Sequence, residues 1–233
     1  MVSTAYKEKN MSEKQGFTLL ELLIVIGILA ILSAVVVFIL NPAETLRKSR
    51  DAQRISDLST IKSAMGLYLT NTTTPLLDNT AGNTTCKNGT GVDTIYYSYP
   101  SDSPGAAITD TTLDGGSASV PAAGQVLEAS LGKVDGTGWI KVNLAGLSAG
   151  SPISNIPIDP INTITAVGTV ASTDLVYRYM CDKNDLTFEI DAQLESTAYT
   201  TDPDNRLTRD GGNNSNLYET GTKLTILGTG TDF

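Results

Sequence analysis

Gly16-Phe17-Thr18-Leu19-Leu20-Glu21-Leu22-Leu23-Ile24-Val25-Ile26-Gly27-Ile28-Leu29-Ala30-Ile31-Leu32 opens a stretch in which, from Phe17 to Leu40, only Thr18, Glu21 and Ser33 are polar. As a helix, those residues span about 36 Å at the standard rise, enough to cross a bilayer with some tilt. One carboxylate inside such a helix costs about 2.5–3.5 kcal/mol at the helix centre on insertion scales. Something has to offset Glu21. A secretory signal peptide does not fit the pattern. Its apolar region is shorter, about 7–15 residues, and a small-residue cleavage site follows it. Here the run ends at Asn41-Pro42 with no such site, and the small residue, Gly16, stands before the run.

Cleavage after Gly16 would leave Phe17 with a free amine at the start of a helix. The positive end of the helix dipole disfavours that amine unless an anion lies nearby. Glu21 is four residues on, on the same helix face. It can pair with its own amine or, in a bundle of parallel identical helices, with a neighbour's. Neither charge is stable alone in lipid, so the pair would favour one axial stagger between copies.

The hexapeptide Gly16-Phe17-Thr18-Leu19-Leu20-Glu21 resembles the processing site of type IV pilins and type II secretion pseudopilins. The resemblance implies a leader over 1–16 (or Met11–Gly16, from the second methionine), removed by a prepilin peptidase that then methylates Phe17. It implies that Glu21 guides assembly of a homo-oligomeric filament, with an assembly platform and minor pilins as further partners. It also implies a single pass through the bacterial inner membrane before assembly, with the head outside the cytoplasm. The lysines of the leader, Lys7, Lys9 and Lys14, fit a cytoplasmic N-terminus. The alternatives are a type IV pilus pilin for adhesion, motility or DNA uptake, and a membrane-anchored binding module whose helix only tethers it and does not polymerise. Gly27, Ala30 and Ala34, spaced for close helix packing, favour the filament.

Beyond residue 40 the sequence predicts two further parts, an amphipathic continuation of the helix over 41–71 and a β-rich head over 72–233. Pro42 should interrupt the helix near Asn41. Ile55, Leu58, Ile61, Met65 and Leu69 recur at helical spacing and predict a buried stripe. Arg47, Lys48, Arg50, Asp51, Arg54, Asp57 and Lys62 read as a solvated face, or as contacts for acidic surfaces of neighbouring subunits. Asn71-Thr72-Thr73-Thr74-Pro75 is a stop signal. Strands are predicted at 94–99, 139–144, 175–180, 186–192 and 224–227, and a short helix at 123–131 with Gly132 as its C-cap. The expected fold class is α+β, a long helix packed on a small antiparallel sheet.

Pro157-Ile158-Asp159-Pro160 resembles the proline-aspartate-proline turn of type II secretion major pseudopilins and points to that branch. The C-terminal loop holds Asp202, Asp204 and Asp210 among asparagines, beside Gly211-Gly212. Such oxygen donors suit calcium, and the resemblance implies a calcium loop at this place; a solvated acidic turn is the other reading. Counted from Asp202 the stretch is not an EF-hand, because Arg206 and Leu207 occupy a ligand and the turn-glycine position. Cys86 and Cys181 are the only cysteines. In an exported chain they are expected to pair rather than stay as thiols, and the chain-entropy model gives such a bridge roughly 4–5 kcal/mol.

Charge and composition narrow the function. Residues 43–70 carry five Lys/Arg and three Asp/Glu, a net +2; residues 71–233 carry eight and nineteen, a net −11. No basic patch suggests nucleic-acid binding. The chain has no histidine, which removes Ser-His-Asp chemistry and the commonest general base. Gly146-Leu147-Ser148-Ala149-Gly150 matches G-x-S-x-G, but Ser151-Pro152 follows in place of a helix. Glu189 and Asp191 share one strand face and read as solvent-exposed. A structural protein is expected, not an enzyme.

Overall fold

The computed structural model describes residues 16–88, 93–103, 108 and 122–228. The leader before Gly16 and, within the polar stretch expected over 78–122, residues 89–92, 104–107 and 109–121 lie outside the described residues. The chain divides at Ala43/Glu44 into two units.

The N-terminal unit is built on helix α1, Leu19–Leu40. Thr18 is its N-cap: the side chain accepts a hydrogen bond from the Glu21 backbone N–H at 3.2 Å. Thr-x-x-Glu is the capping-box spacing, and the acidic residue in the first turn complements the helix dipole. The window Leu19–Val36 has none of its residues buried. A helix that is apolar all round needs lipid or other helices as its solvent. The helix ends at Asn41, which takes the left-handed conformation at φ 37°. Pro42 then starts the next helix at a position where its missing N–H costs nothing.

In the second unit, α2 (Pro42–Asn71) lies on a five-stranded sheet with spatial order β2-β1-β3-β4-β5. The strands are β1 Thr94–Tyr97, β2 Ala122–Gly124, β3 Tyr177–Asp182, β4 Thr187–Ala192 and β5 Tyr218–Gly221. Only β2 runs parallel to its neighbour, β1; the other pairs are antiparallel. The fold is therefore α+β and pilin-like. The predicted stripe is the packing face. Leu58, Ile61, Ala64, Met65 and Tyr68 of α2 form one cluster with Tyr96, Tyr177, Tyr179, Phe188 and Ile190 of the sheet; Leu69 packs at its half-buried margin, and Ile55 is half-buried.

Several expected elements differ. The helix over 123–131 is absent. Ala122–Gly124 is a strand, and only one 3-10 turn, Glu128–Ser130, follows it. A Cβ on Gly124 would sit 2.2 Å from the Tyr96 ring, so glycine is there for close sheet packing. Gln125 donates to Tyr99 and Pro100 carbonyls and accepts from Ile108, which holds the chain out of a helix. The segment 139–144 is not a strand either. Trp139, Ile140, Val142 and Leu144 are buried as an irregular layer, and Trp139 Nε1 donates to the Pro157 carbonyl at 2.8 Å. The last strand is β5, not 224–227. The N–H groups of Ile226 and Leu227 donate to the Glu189 carboxylate at 2.7 and 2.9 Å instead of to a neighbouring strand.

Two charges read as solvated are buried. Arg54 and Asp51 are fully inaccessible. Arg54 forks onto Asp159 at 2.6 and 3.0 Å and reaches Asp51 at 2.9 Å and Glu195 at 2.7 Å. Asp51 also accepts from the backbone N–H groups of Glu195 and Ser196, at 2.9 and 2.7 Å. Arg50 adds a second fork on Glu195 at 2.8 and 2.9 Å and is the main cause that holds the Glu195 carboxyl down at about 2. Asp159 is the aspartate of the proline turn, and its Oδ1 also accepts from Ile161 and Asn162. One guanidinium thus ties α2 to the proline turn and to the chain after β4. Arg54→Ala should strip the counter-charge from buried Asp51 and Asp159 and destabilise the head by about 3–5 kcal/mol. Urea unfolding of the full chain in detergent, followed through the single tryptophan, Trp139, measures this; a loss below about 1 kcal/mol, the value of a surface ion pair, would contradict it.

Candidate functional site

Gly16, Phe17 and Thr18 precede the helix, and the first helical N–H bonded backward is that of Leu22, to the Thr18 carbonyl at 3.2 Å. The Gly16–Phe17 peptide is therefore outside helical hydrogen bonding and exposed, with Phe17 at 81 % accessibility. A Cβ added at Gly16 would meet nothing within 4 Å, so nothing among the described residues requires glycine there. The small residue suits a molecule that must close around the backbone at this point.

Glu21 lies exposed in the first turn of α1, and its carboxylate makes no ion pair and accepts no hydrogen bond among the described residues. Its backbone N–H is taken by Thr18 while its side chain is left over. The capping role of Thr18, readable in the Thr-x-x-Glu spacing, presets the helix start two residues inside a chain that would begin at Phe17. An amine at Phe17 would then stand at the dipole's positive end, with Glu21 one turn away.

Residues 11–37 match the prokaryotic N-terminal methylation motif. The match supports a type IV pilin-like family and indicates a type IV pilin-like substrate of prepilin peptidase. Processing and filament assembly in general follow from the motif, which is a structural-protein motif and not that of an enzyme family. The apolar α1 helix and the motif fit an inner-membrane-anchored pilin. In the corresponding comparisons, no curated protein and no solved structure matches the chain.

The other residues singled out in the sequence fall in the second unit. Cys86 and Cys181 are joined as a disulfide that fastens the segment after α2 to β3. Lys87 N–H donates to the Cys181 carbonyl at 2.7 Å beside it. Asp202, Asp204 and Asp210 each meet protein partners, and Asp204 and Asp210 line one pocket with Arg206, Arg209 and Tyr218. Asp202 faces Arg209 at 3.4 Å and Asp204 faces Arg206 at 3.0 Å. Asp210 accepts from the backbone N–H groups of Gly212 and Glu219 at 3.0 and 2.7 Å. Among the described residues no group of three or more His, Cys, Asp or Glu side chains is arranged to hold a metal. Gly146 ends a 3-10 turn, Leu144–Gly146, so the G-x-S-x-G match follows no strand.

Glu189 and Asp191 are not exposed, as expected from sequence, but fully buried. They point to the sheet face away from α2, which the chain after β5 covers. Asp191 lies opposite Arg178 in register and pairs with it at 2.8 Å. Glu219 stands beside Glu189 as a second buried carboxyl. Burial, with Glu219 beside it, pushes Glu189 up to about 9. Strand alternation alone signals a face, not its cover. The native state keeps a proton on Glu189 that the unfolded chain releases near pH 4.5. Between about 4.5 and about 9 the folded head binds the extra proton, so its stability should fall as pH rises. Glu219, Asp191, Asp57 and Asp210 are raised as well and act in the same direction. Thermal midpoints across that range should decline in the unaltered chain and decline less in Glu189→Gln, whose amide does not titrate. An equal slope in both would contradict the assignment.

Proposed function

We propose that this chain is the structural subunit of a type IV pilus-like filament, cut after Gly16, methylated at Phe17 and assembled through α1, and that it serves as a type II secretion-like major pseudopilin. The observation that carries the reading is Glu21, an unneutralised carboxylate in the first turn of a helix otherwise apolar on every side, following a methylation motif. Its natural counter-charge is the Phe17 amine of a neighbouring copy. In lipid that pair has no competing solvent, so one stagger between helices is favoured over the rest.

The pseudopilin branch is supported by the proline turn. Asp159, between Pro157 and Pro160, anchors the head on α2 through Arg54, which gives that turn a structural role. The net −11 of residues 71–233 keeps a crowded filament surface soluble.

Mass spectrometry of the mature N-terminus should find Phe17 first and carrying one methyl group. Glu21→Ala should abolish filaments in sheared fractions while leaving cleavage intact. A retained leader, or filaments in undiminished yield from Glu21→Ala, would overturn the proposal.

A further inference from the structure

The head carries two surface patches that match each other and not themselves. The first is the start of α2. Leu46 is 61 % exposed and the Arg47 side chain 53 % exposed. Arg47 has only a long 3.9 Å contact with Glu44, whereas Lys48 beside it is turned onto the Tyr199 ring. The second is a groove of about 850 Å³ whose walls include Gln53 and Asp57 of α2, Glu128, Lys133, and Ile158 and Ile161 of the proline turn. Ile158 and Ile161 are exposed, at 38 % and 41 %. Asp159 also lines the groove, but its charge is taken by Arg54. Glu128 is exposed, and its carboxylate makes no ion pair among the described residues. With Lys133 on the same wall, Asp57 and Glu128 still leave the groove net acidic.

We propose that this groove receives the first two turns of α2 from a second copy of the chain, with Leu46 seated between Ile158 and Ile161 and Arg47 paired with Glu128. The inference rests on the filament reading above. A large aliphatic side chain exposed beside an arginine meets two exposed isoleucines beside a carboxylate. Burial of the aliphatics and a charge-assisted hydrogen bond act at one place. The patches are different surfaces of one molecule, so the contact is heterologous. A heterologous contact leaves a free patch of each kind at the two ends and propagates as an open helix unless it closes into a ring. Along α2, Leu46 and Asp57 are separated by about 16 Å at the helical rise, so the contact sets an axial offset of that order between neighbours. The opposite net charges of α2 and the rest of the head steer the approach.

The test uses the full-length chain in cells that supply prepilin peptidase and the assembly machinery, with filaments of the unaltered chain scored in parallel by shearing and electron microscopy. Arg47→Cys with Glu128→Cys in one chain should give, on oxidation, a ladder of dimers, trimers and higher multiples that neither single variant gives. Arg47→Glu should lower filament yield about tenfold, and adding Glu128→Arg should restore it. If the unaltered chain forms filaments but shows neither ladder nor rescue, the contact is wrong and the filament reading stands. If no filaments form yet the double-cysteine chain cross-links to itself in membranes, the contact stands and the filament reading falls. If neither appears, both fall. Cross-linking only to a protein of another size would overturn a second copy as the occupant.

Discussion

The head depends on one buried guanidinium. Arg54 has no access to water, so it must be neutralised within the protein, and its three carboxylates come from three different segments. Asp51 lies on its own helix, Asp159 on the proline turn and Glu195 after β4. Satisfying Arg54 therefore places the proline turn and the chain leaving the sheet against α2 together. The groove wall of Ile158 and Ile161 stands where it does because Asp159, between them in sequence, is fixed from both sides. A buried ion pair is a weak source of net stability compared with apolar packing, but it is specific: few arrangements satisfy every donor.

The sheet separates two kinds of interior. Toward α2 it presents Tyr177, Tyr179, Phe188 and Ile190, joined by the helix stripe and the irregular Trp139–Leu144 layer. On the other face Ile95, Tyr97, Val176 and Met180 pack with Ile226 and Leu227, around the charged set of Arg178, Glu189, Asp191 and Glu219. On this face the chain after β5 is held by backbone donors to Glu189, and β5 itself is held by the Asp210 carboxylate at the Glu219 N–H. The acidic C-terminal loop works here as a cap on a sheet edge, which also explains why its aspartates are engaged by protein groups.

The N-terminal region was legible from sequence because it is read locally. Cap, Gly16, carboxylate and apolar run lie within a few turns of one another, and no described side chain of α1 over Leu19–Val36 is buried. The helix stripe of α2 was legible for the same reason, since 3.6-residue periodicity is a local signal. The strands β1, β3 and β4 appeared where β-branched and aromatic residues cluster. The misses share a cause. Ala123–Leu131 has helix-compatible residues, but Gly124 is required against Tyr96. Trp139–Leu144 alternates like a strand, but its partner is the core and not a ladder. Tyr218–Gly221 looks like loop until Glu189–Ala192 is beside it.

By itself the sequence determined the membrane-length helix, its single carboxylate and the helix-on-sheet class, because each is encoded in neighbouring residues and elementary hydrophobic periodicity. The tertiary structure decided which charges are buried. Arg54 meets Asp159 and Glu195 across separations of 105 and 141 residues, and Glu189 meets the Ile226 N–H across 37. Burial of an ionisable group is a property of what covers it, and no local pattern records that.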